Sequence, residues 1–240
     1  MKKKAMYRWM SVILISVLLL LTACGKTEEN KEEKKETSSE ERTFTAALGV
    51  MPANFDPTNL VGAGDMNATR NCYEPLVEEV RGTTDLEPWL AESYEIPDAR
   101  TYVFKIRDGV KFADGTDLNA DAVVYSYERA MAFVSSISTL VEEIESVEKT
   151  DEMTVTIKLK NDNSGFLYNV AKIGIISPSW CRENEKDGDW AQEYCARHTC
   201  GTGPYQVSEF EEDQYYTMTK YGDYWKGWKE NQIDVIQTLI

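Results

Sequence analysis

The sequence predicts a mixed α/β fold, with strands and helices intermixed along the chain. Three observations carry this. TYVFKI (101–106) and TVTIKLK (154–160) both alternate apolar and polar residues, as strands with one buried face do. Between them Val123, Val124, Tyr127, Ala130 and Met131 fall at helical spacing. The 240 residues are 42% hydrophobic, enough for one large domain or two small ones.

The amino-terminal segment stands apart from that fold. Lys2, Lys3, Lys4 and Arg8 make a basic region, and 11–21 is an apolar, leucine-rich run too short for a comfortable membrane span. The run leads into Leu21-Thr22-Ala23-Cys24-Gly25, which resembles the lipobox of bacterial lipoproteins. That resemblance implies a signal peptide over 1–23 and a lipid-carrying thioether on Cys24. Residues 24–42 are predicted to be a disordered tether, since GKTEENKEEKKETSSEER has no aromatic or branched aliphatic side chain to bury. Several lipid chains hold a protein at the membrane stably. The protein is therefore expected to work outside the membrane, in a periplasm or on the outer face of the cytoplasmic membrane.

Past the tether, RTFTAAL (42–48) reads as a strand and GVMPANFDP (49–57) as a loop broken by Gly49, Pro52 and Pro57. A helix is predicted from about Asp65, capped by that residue, with Met66, Ala68 and Cys72 apolar, ending before Pro75. Asp108-Gly109 and Asp114-Gly115 mark two turns bracketing a short strand. VEEIESVEKTDE (141–152) fits a helix or a strand equally. GPYQVSEFEEDQYYTMTKY (203–221) predicts two strands around an acidic turn at 211–213, and IDVIQTLI (233–240) a last strand.

FADGTDLNADAVVYSYERA (112–130) imitates an EF-hand calcium loop, with Asp117, Asn119 and Asp121 alternating and Glu128 in twelfth place. The sixth place, which needs glycine for its sharp turn, is Ala122, and helical spacing begins at once. The segment is better read as a turn at Asp114-Gly115, an Asn119 N-cap and Asp121 at the positive end of a helix dipole. Glu128 and Arg129 are expected on the exposed side of that helix.

Charge and chemistry exclude several functions. A net charge of −15 is a poor match for nucleic acid, which needs clustered Lys and Arg. His198 is the only histidine, and neither G-x-S-x-G nor H-E-x-x-H occurs, so no catalytic residues and no resident metal or other cofactor are expected. Beyond Cys24 there are four cysteines, Cys72, Cys181, Cys195 and Cys200. Outside the cytosol they could form disulfides, with three pairings open. Free buried thiols, or a zinc site with His198, are the alternatives.

The turn and capped helix sit inside LEPWLAESYEIPDARTYVFKIRDGVKFADGTDLNADAVVYSYERAM (86–131), which resembles the signature region of family 5 extracytoplasmic solute-binding proteins. Further motifs agree in order: FDP (55–57), YEPLV (73–77), IESVEKTDEMTVTIKLK (144–160), GTGPY (201–205) and YGDYWKG (221–227). Tyr221 departs from the asparagine usual near there, and the cluster of Cys181, Cys195 and Cys200 departs from the family pattern.

The resemblance implies the first lobe of a two-lobed, type II periplasmic-binding-protein fold that closes by a hinge, with the second lobe absent and the chain an amino-terminal portion. Residues 43–61 and 177–240 would form the first-lobe sheet domain, and 62–176 an inserted subdomain. It also implies ligand-cleft positions at Met51, Ala53, Asn54, Gly64, Met66, Ile173 and Gly174. Glycine-bearing loops there offer backbone groups to an extended peptide, and methionine adapts to varied side chains. Trp89, Trp225 and Trp228 are expected to serve packing. The implied function is a monomeric, lipid-anchored receptor handing small peptides to the permease subunits of an ABC importer. Nickel chelates, haem or oligosaccharides are alternative cargoes, and a signalling or adhesion receptor is an alternative role.

Overall fold

A computed structural model describes residues 41–60 and 62–240. The leader, Cys24 and the tether through residue 40 lie outside the described residues. Among the described residues ten strands, β1 to β10, build three sheets.

The strands at the two ends of the described chain lie side by side. β1 (Thr43–Ala47) pairs in parallel with β10 (Val235–Leu239), Thr43 opposite Val235. β10 pairs antiparallel with β9 (Tyr215–Lys220), and β9 with β8 (Tyr205–Glu211), giving the order β1-β10-β9-β8. The expected acidic turn joins β8 to β9, with Asp213 in the left-handed region at φ 58°.

A second four-stranded sheet has the order β4-β5-β7-β6, all antiparallel, from β4 (Ala91–Asp98), β5 (Thr101–Ile106), β6 (Ile144–Asp151) and β7 (Thr154–Leu159). The alternation read in the sequence sets its core face: Tyr102, Phe104 and Ile106 are buried beside Val155, Ile157 and Leu159. The ambiguous 141–152 segment divides, ending a short helix at Val141 and supplying β6. A small hairpin of β2 (Val77–Glu79) and β3 (Leu86–Pro88) precedes this sheet.

Helices connect and cover the sheets. α1 spans Ala63–Cys72, and its N-cap is Gly62 rather than Asp65. Asp65 lies in the first turn and accepts from the Gly62 amide at 3.2 Å. α2 spans Ala120–Ala132 and packs on β6 and β7. Asn119 caps it as expected, its Oδ1 accepting from Ala122 N at 3.0 Å. The helix begins where a calcium loop would need irregular backbone. Short helices α3 (Ser138–Val141), α4 (Phe166–Val170), α5 (Pro178–Asn184) and α6 (Gln192–Cys195) complete the set. α5 starts with Ser177 as cap and Pro178 in its first turn, where the missing proline amide costs nothing.

Two apolar cores result. One lies between the β4-β5-β7-β6 sheet and α2, around Phe104, Phe112, Tyr127, Ile157 and Phe166. The other lies against the β1-β10-β9-β8 sheet, around Phe55, Ala68, Tyr73, Tyr216 and Met218. Among the described residues no helix is long and apolar enough to cross a membrane.

Candidate functional site

The loop 51–60 and α1 are tied together by buried carboxylates and amides. Asp65 accepts from Ala53 N at 2.6 Å, which holds the loop against the start of the helix. Asn54 folds the loop on itself: its Oδ1 accepts from Asp56 N at 2.9 Å and its Nδ2 donates to Asn59 O at 2.8 Å. Buried amide groups of this kind must be satisfied locally.

Asp56, the aspartate of FDP, binds α2. Arg129 Nη1 donates to Asp56 Oδ1 at 2.7 Å and Nη2 to Oδ2 at 2.6 Å. Arg129 is 0% exposed, which corrects its expected exposed position. Helical spacing placed Glu128 on the exposed side, as observed, but Arg129 is met by the FDP loop through Asp56 and Thr58 and by the Trp190 carbonyl. Arg129 Nε also donates to Trp190 O at 2.9 Å, and Nη1 to Thr58 Oγ1 at 2.9 Å. Burial works against the guanidinium charge, but the Asp56 hydrogen bonds and charge more than offset it, so its pKa stands above the ordinary value.

A second buried carboxylate gathers four other motif residues. Glu74 Oε1 accepts from Trp89 Nε1 at 2.8 Å and Tyr224 OH at 2.9 Å, while Oε2 accepts from Thr202 Oγ1 at 2.7 Å and Trp225 Nε1 at 2.9 Å. YEPLV, EPWLA, GTGPY and the Tyr-Trp pair therefore meet at one group. Gly201 and Gly203 run so close to the Cys72 carbonyl that any Cβ at either would clash. Gly203 N donates to that carbonyl at 3.0 Å. Tyr221 donates its hydroxyl to Phe112 O at 2.8 Å. Trp89, Trp225 and Trp228 all donate their indole N–H within the protein, the last to Tyr221 O at 2.8 Å.

A groove of about 200 Å³ opens between α1, the loop 57–60, α3 and 171–174. Met66, Tyr73, Pro57, Leu60, Ile137 and Gly174 line it, and the exposed cations Arg70 and Lys172 flank it. The expected cleft residues thus fall in three places. Met66 (38% exposed) and Gly174 meet at the groove. Met51, Ala53 and Gly64 lie together at the contact between loop and helix, Gly64 against the Val50 carbonyl. Asn54 and Ile173 are buried, the first in the loop's own bonding and the second in a core. Tyr73, Arg70 and Leu60 were missed as groove residues. A helical partner of Met66 four residues on, Arg70, was the signal available.

The four cysteines among the described residues are buried free thiols. His198 does not join them: its ring stacks on Tyr194 at 4.0 Å and bonds Tyr194 O at 3.0 Å. Among the described residues no cluster of three or more His, Cys, Asp or Glu side chains is arranged to hold a metal ion.

Comparison with known proteins places this geometry. The profile of "bacterial extracellular solute-binding proteins, family 5 Middle" matches residues 85–240. Heme-binding protein A of Haemophilus influenzae is 30% identical, across 90% of this chain and 44% of its own. Di/tripeptide-binding protein 1 of Pseudomonas aeruginosa is 31% identical, across 73% of this chain and 36% of its own. An ABC transporter-associated periplasmic binding protein of Helicobacter pylori, solved with the peptide STSA, superposes with a TM-score of 0.70 at 26% identity, over 83% of this chain and 43% of that one. The chain spans less than half the length of each of these relatives.

Proposed function

Since this chain belongs to the bacterial extracellular solute-binding proteins of family 5, we propose that it is the first lobe of a receptor that delivers peptides to an ABC importer. The observation that carries the reading is the groove holding Met66 and Gly174. It is chiefly apolar, offers adaptable methionine and backbone surface, and has two cations beside it, which suits a short peptide with a carboxylate. Its 200 Å³ falls below the roughly 300–1,000 Å³ of self-sufficient ligand pockets, so the reading calls for a facing lobe to complete burial. The remaining expected positions, Met51, Ala53, Asn54, Gly64 and Ile173, then shape and support that wall.

In this reading 43–61 with 177–240 are the sheet domain of the lobe and 62–176 the inserted subdomain, with α1 packed on the sheet domain's core. The protein acts as a monomer and as a binding module without chemistry of its own, its work being differential affinity between open and closed states. Cys24 carries the lipid that holds it beside its permease. Replacing Cys24 by serine should release the protein from the membrane fraction, and retention of the C24S protein there would remove the anchor from the proposal.

Native mass spectrometry of the full-length protein as purified tests the cargo. Retained peptide masses are expected. A nickel chelate or a sugar in their place, with no peptide, would overturn the assignment. Haem is the second reading, favoured by the haem-binding relative that matches 90% of this chain, and a Soret band in the purified protein would select it.

A further inference from the structure

Solute binding makes no use of the four buried thiols, and two of them meet. Cys181 lies in α5 and Cys195 ends α6; both are fully buried in the core against the β1-β10-β9-β8 sheet. The two helices pack together, Trp180 of α5 against Tyr194 of α6 at 5.1 Å between ring centroids, and the two thiols are neighbours, with the Arg129 guanidinium and the Tyr125 hydroxyl alongside. The other two thiols are engaged elsewhere. The Cys72 thiol lies beside Thr199 and Val207, and Cys200 lies beside Asp114 and packs in the other core.

We propose that Cys181 and Cys195 are a disulfide-forming pair that staples α5 to α6, while Cys72 and Cys200 remain thiols. The inference takes from the family reading only the extracytoplasmic, oxidising surroundings in which such bonds persist. The oxidant is an external disulfide. One thiolate of the pair attacks a sulfur of that disulfide and releases one external thiol. The second thiolate then attacks the mixed disulfide and releases the other. The two electrons and both thiol hydrogens end on the external pair as two thiols, so the exchange balances. Because both sulfurs are sealed from water in the folded chain, the exchange occurs before α5 and α6 close over the core.

The staple has something to hold. The segment between the two cysteines carries three residues in left-handed backbone, Asp187, Trp190 and Ala191, at φ 51°, 53° and 59°. Such conformations persist only where the surroundings enforce them. This same segment supplies the Trp190 carbonyl that seats Arg129. Within the pair Cys181 is the side disposed to be thiolate: the neighbouring Cys195 thiol and, against the effect of burial, the Arg129 guanidinium hold its pKa below the ordinary value.

Tryptic mapping of the exported full-length protein tests this, because all four cysteines fall in different peptides: 71–81, 173–182, 187–197 and 198–220. Thiols are trapped with iodoacetamide before digestion without reductant. The expected result is a linked pair of 173–182 with 187–197 that separates on reduction, with Cys72 and Cys200 alkylated. The double variant Cys72→Ser with Cys200→Ser should retain the link, and reductant should lower the melting temperature of wild type but not of Cys181→Ser with Cys195→Ser. Alkylated Cys181 and Cys195 in the unreduced protein, or a link from either to 71–81 or 198–220, would overturn the pairing. The link needs no ligand, so a protein that retains no peptide yet yields it counts against the receptor reading alone.

Discussion

Arg129 and Asp56 form a doubly hydrogen-bonded ion pair, at 2.7 and 2.6 Å, with side chains 0% and 3% exposed. The pair fastens the loop after β1 to helix α2, across 73 residues of sequence. Removing one partner of such a pair leaves the other charge buried and uncompensated, which costs about 3–5 kcal/mol. Arg129→Met is therefore expected to lose about that much in urea denaturation. Asp56→Leu added to it should recover part of the loss, since a buried charge is then no longer stranded. A loss below about 1 kcal/mol in the single variant would show that the pair does not hold the loop.

Glu74 has all four of its donors on neutral groups: two indoles, a phenol and a hydroxyl. In Glu74→Gln one amide oxygen can keep two of them, while its NH₂ must face the other two. Hydrogen bonds to a charged acceptor contribute about 1.5–3 kcal/mol each, so a loss of about 2–3 kcal/mol is expected. That corresponds to a melting temperature lower by about 5–10 °C for a domain of this size. An unchanged melting curve would mean that the amide satisfies the site.

Asn119 caps α2, and Asn119→Ala should cost about 1 kcal/mol through the lost bond to the Ala122 amide. Addition of calcium should leave the melting temperature of wild type unmoved, because the residues imitating a calcium loop are a turn, a cap and a helix. A rise with calcium would reinstate the metal reading.

Met66 is the test of the groove. It is 38% exposed and belongs to neither core, so Met66→Ala should leave the melting temperature unchanged. Loss of its side-chain burial against a ligand should weaken peptide binding by roughly tenfold, about 1.4 kcal/mol, in calorimetry on the full-length protein. Equal affinity in the two proteins would move the ligand site away from the groove.

Asp189 is one of four described aspartates, with Asp98, Asp151 and Asp234, whose carboxyls are held below their ordinary range. Burial alone would raise its pKa, but the amides of Lys186, Glu193 and Ala191 donate to its carboxylate and bring it below the usual 3.8. A carboxyl group held below its unfolded value stabilises the fold above that value and loses the contribution as pH falls through the folded pKa. Asp189→Asn should therefore reduce the dependence of the urea midpoint on pH between about pH 5 and pH 2, the other three carboxyls still contributing, and leave the rest of the profile alone. Parallel profiles for the two proteins would locate the acid sensitivity elsewhere.

Much of this protein was determined by its sequence alone. Period-two alternation specified β5 and β7 because each buries a row of apolar side chains on one face. Asn119 and the spacing after it specified α2, because a side-chain cap and a helical stripe are both local. The order of FDP, YEPLV, GTGPY and the Tyr-Trp pair was enough for the family. Tertiary structure alone decided what those motifs do. Glu74 reads as one of many acidic residues until the chain returns with Thr202, Tyr224 and Trp225, between 128 and 151 residues later. Arg129 reads as a surface arginine until the loop bearing Asp56 covers it. Among the cysteines, three pairings are equal in sequence, and only the packing of α5 against α6 brings Cys181 to Cys195. In each case the deciding partner is distant in sequence, and burial, which no local period encodes, turns an ordinary polar side chain into a structural one.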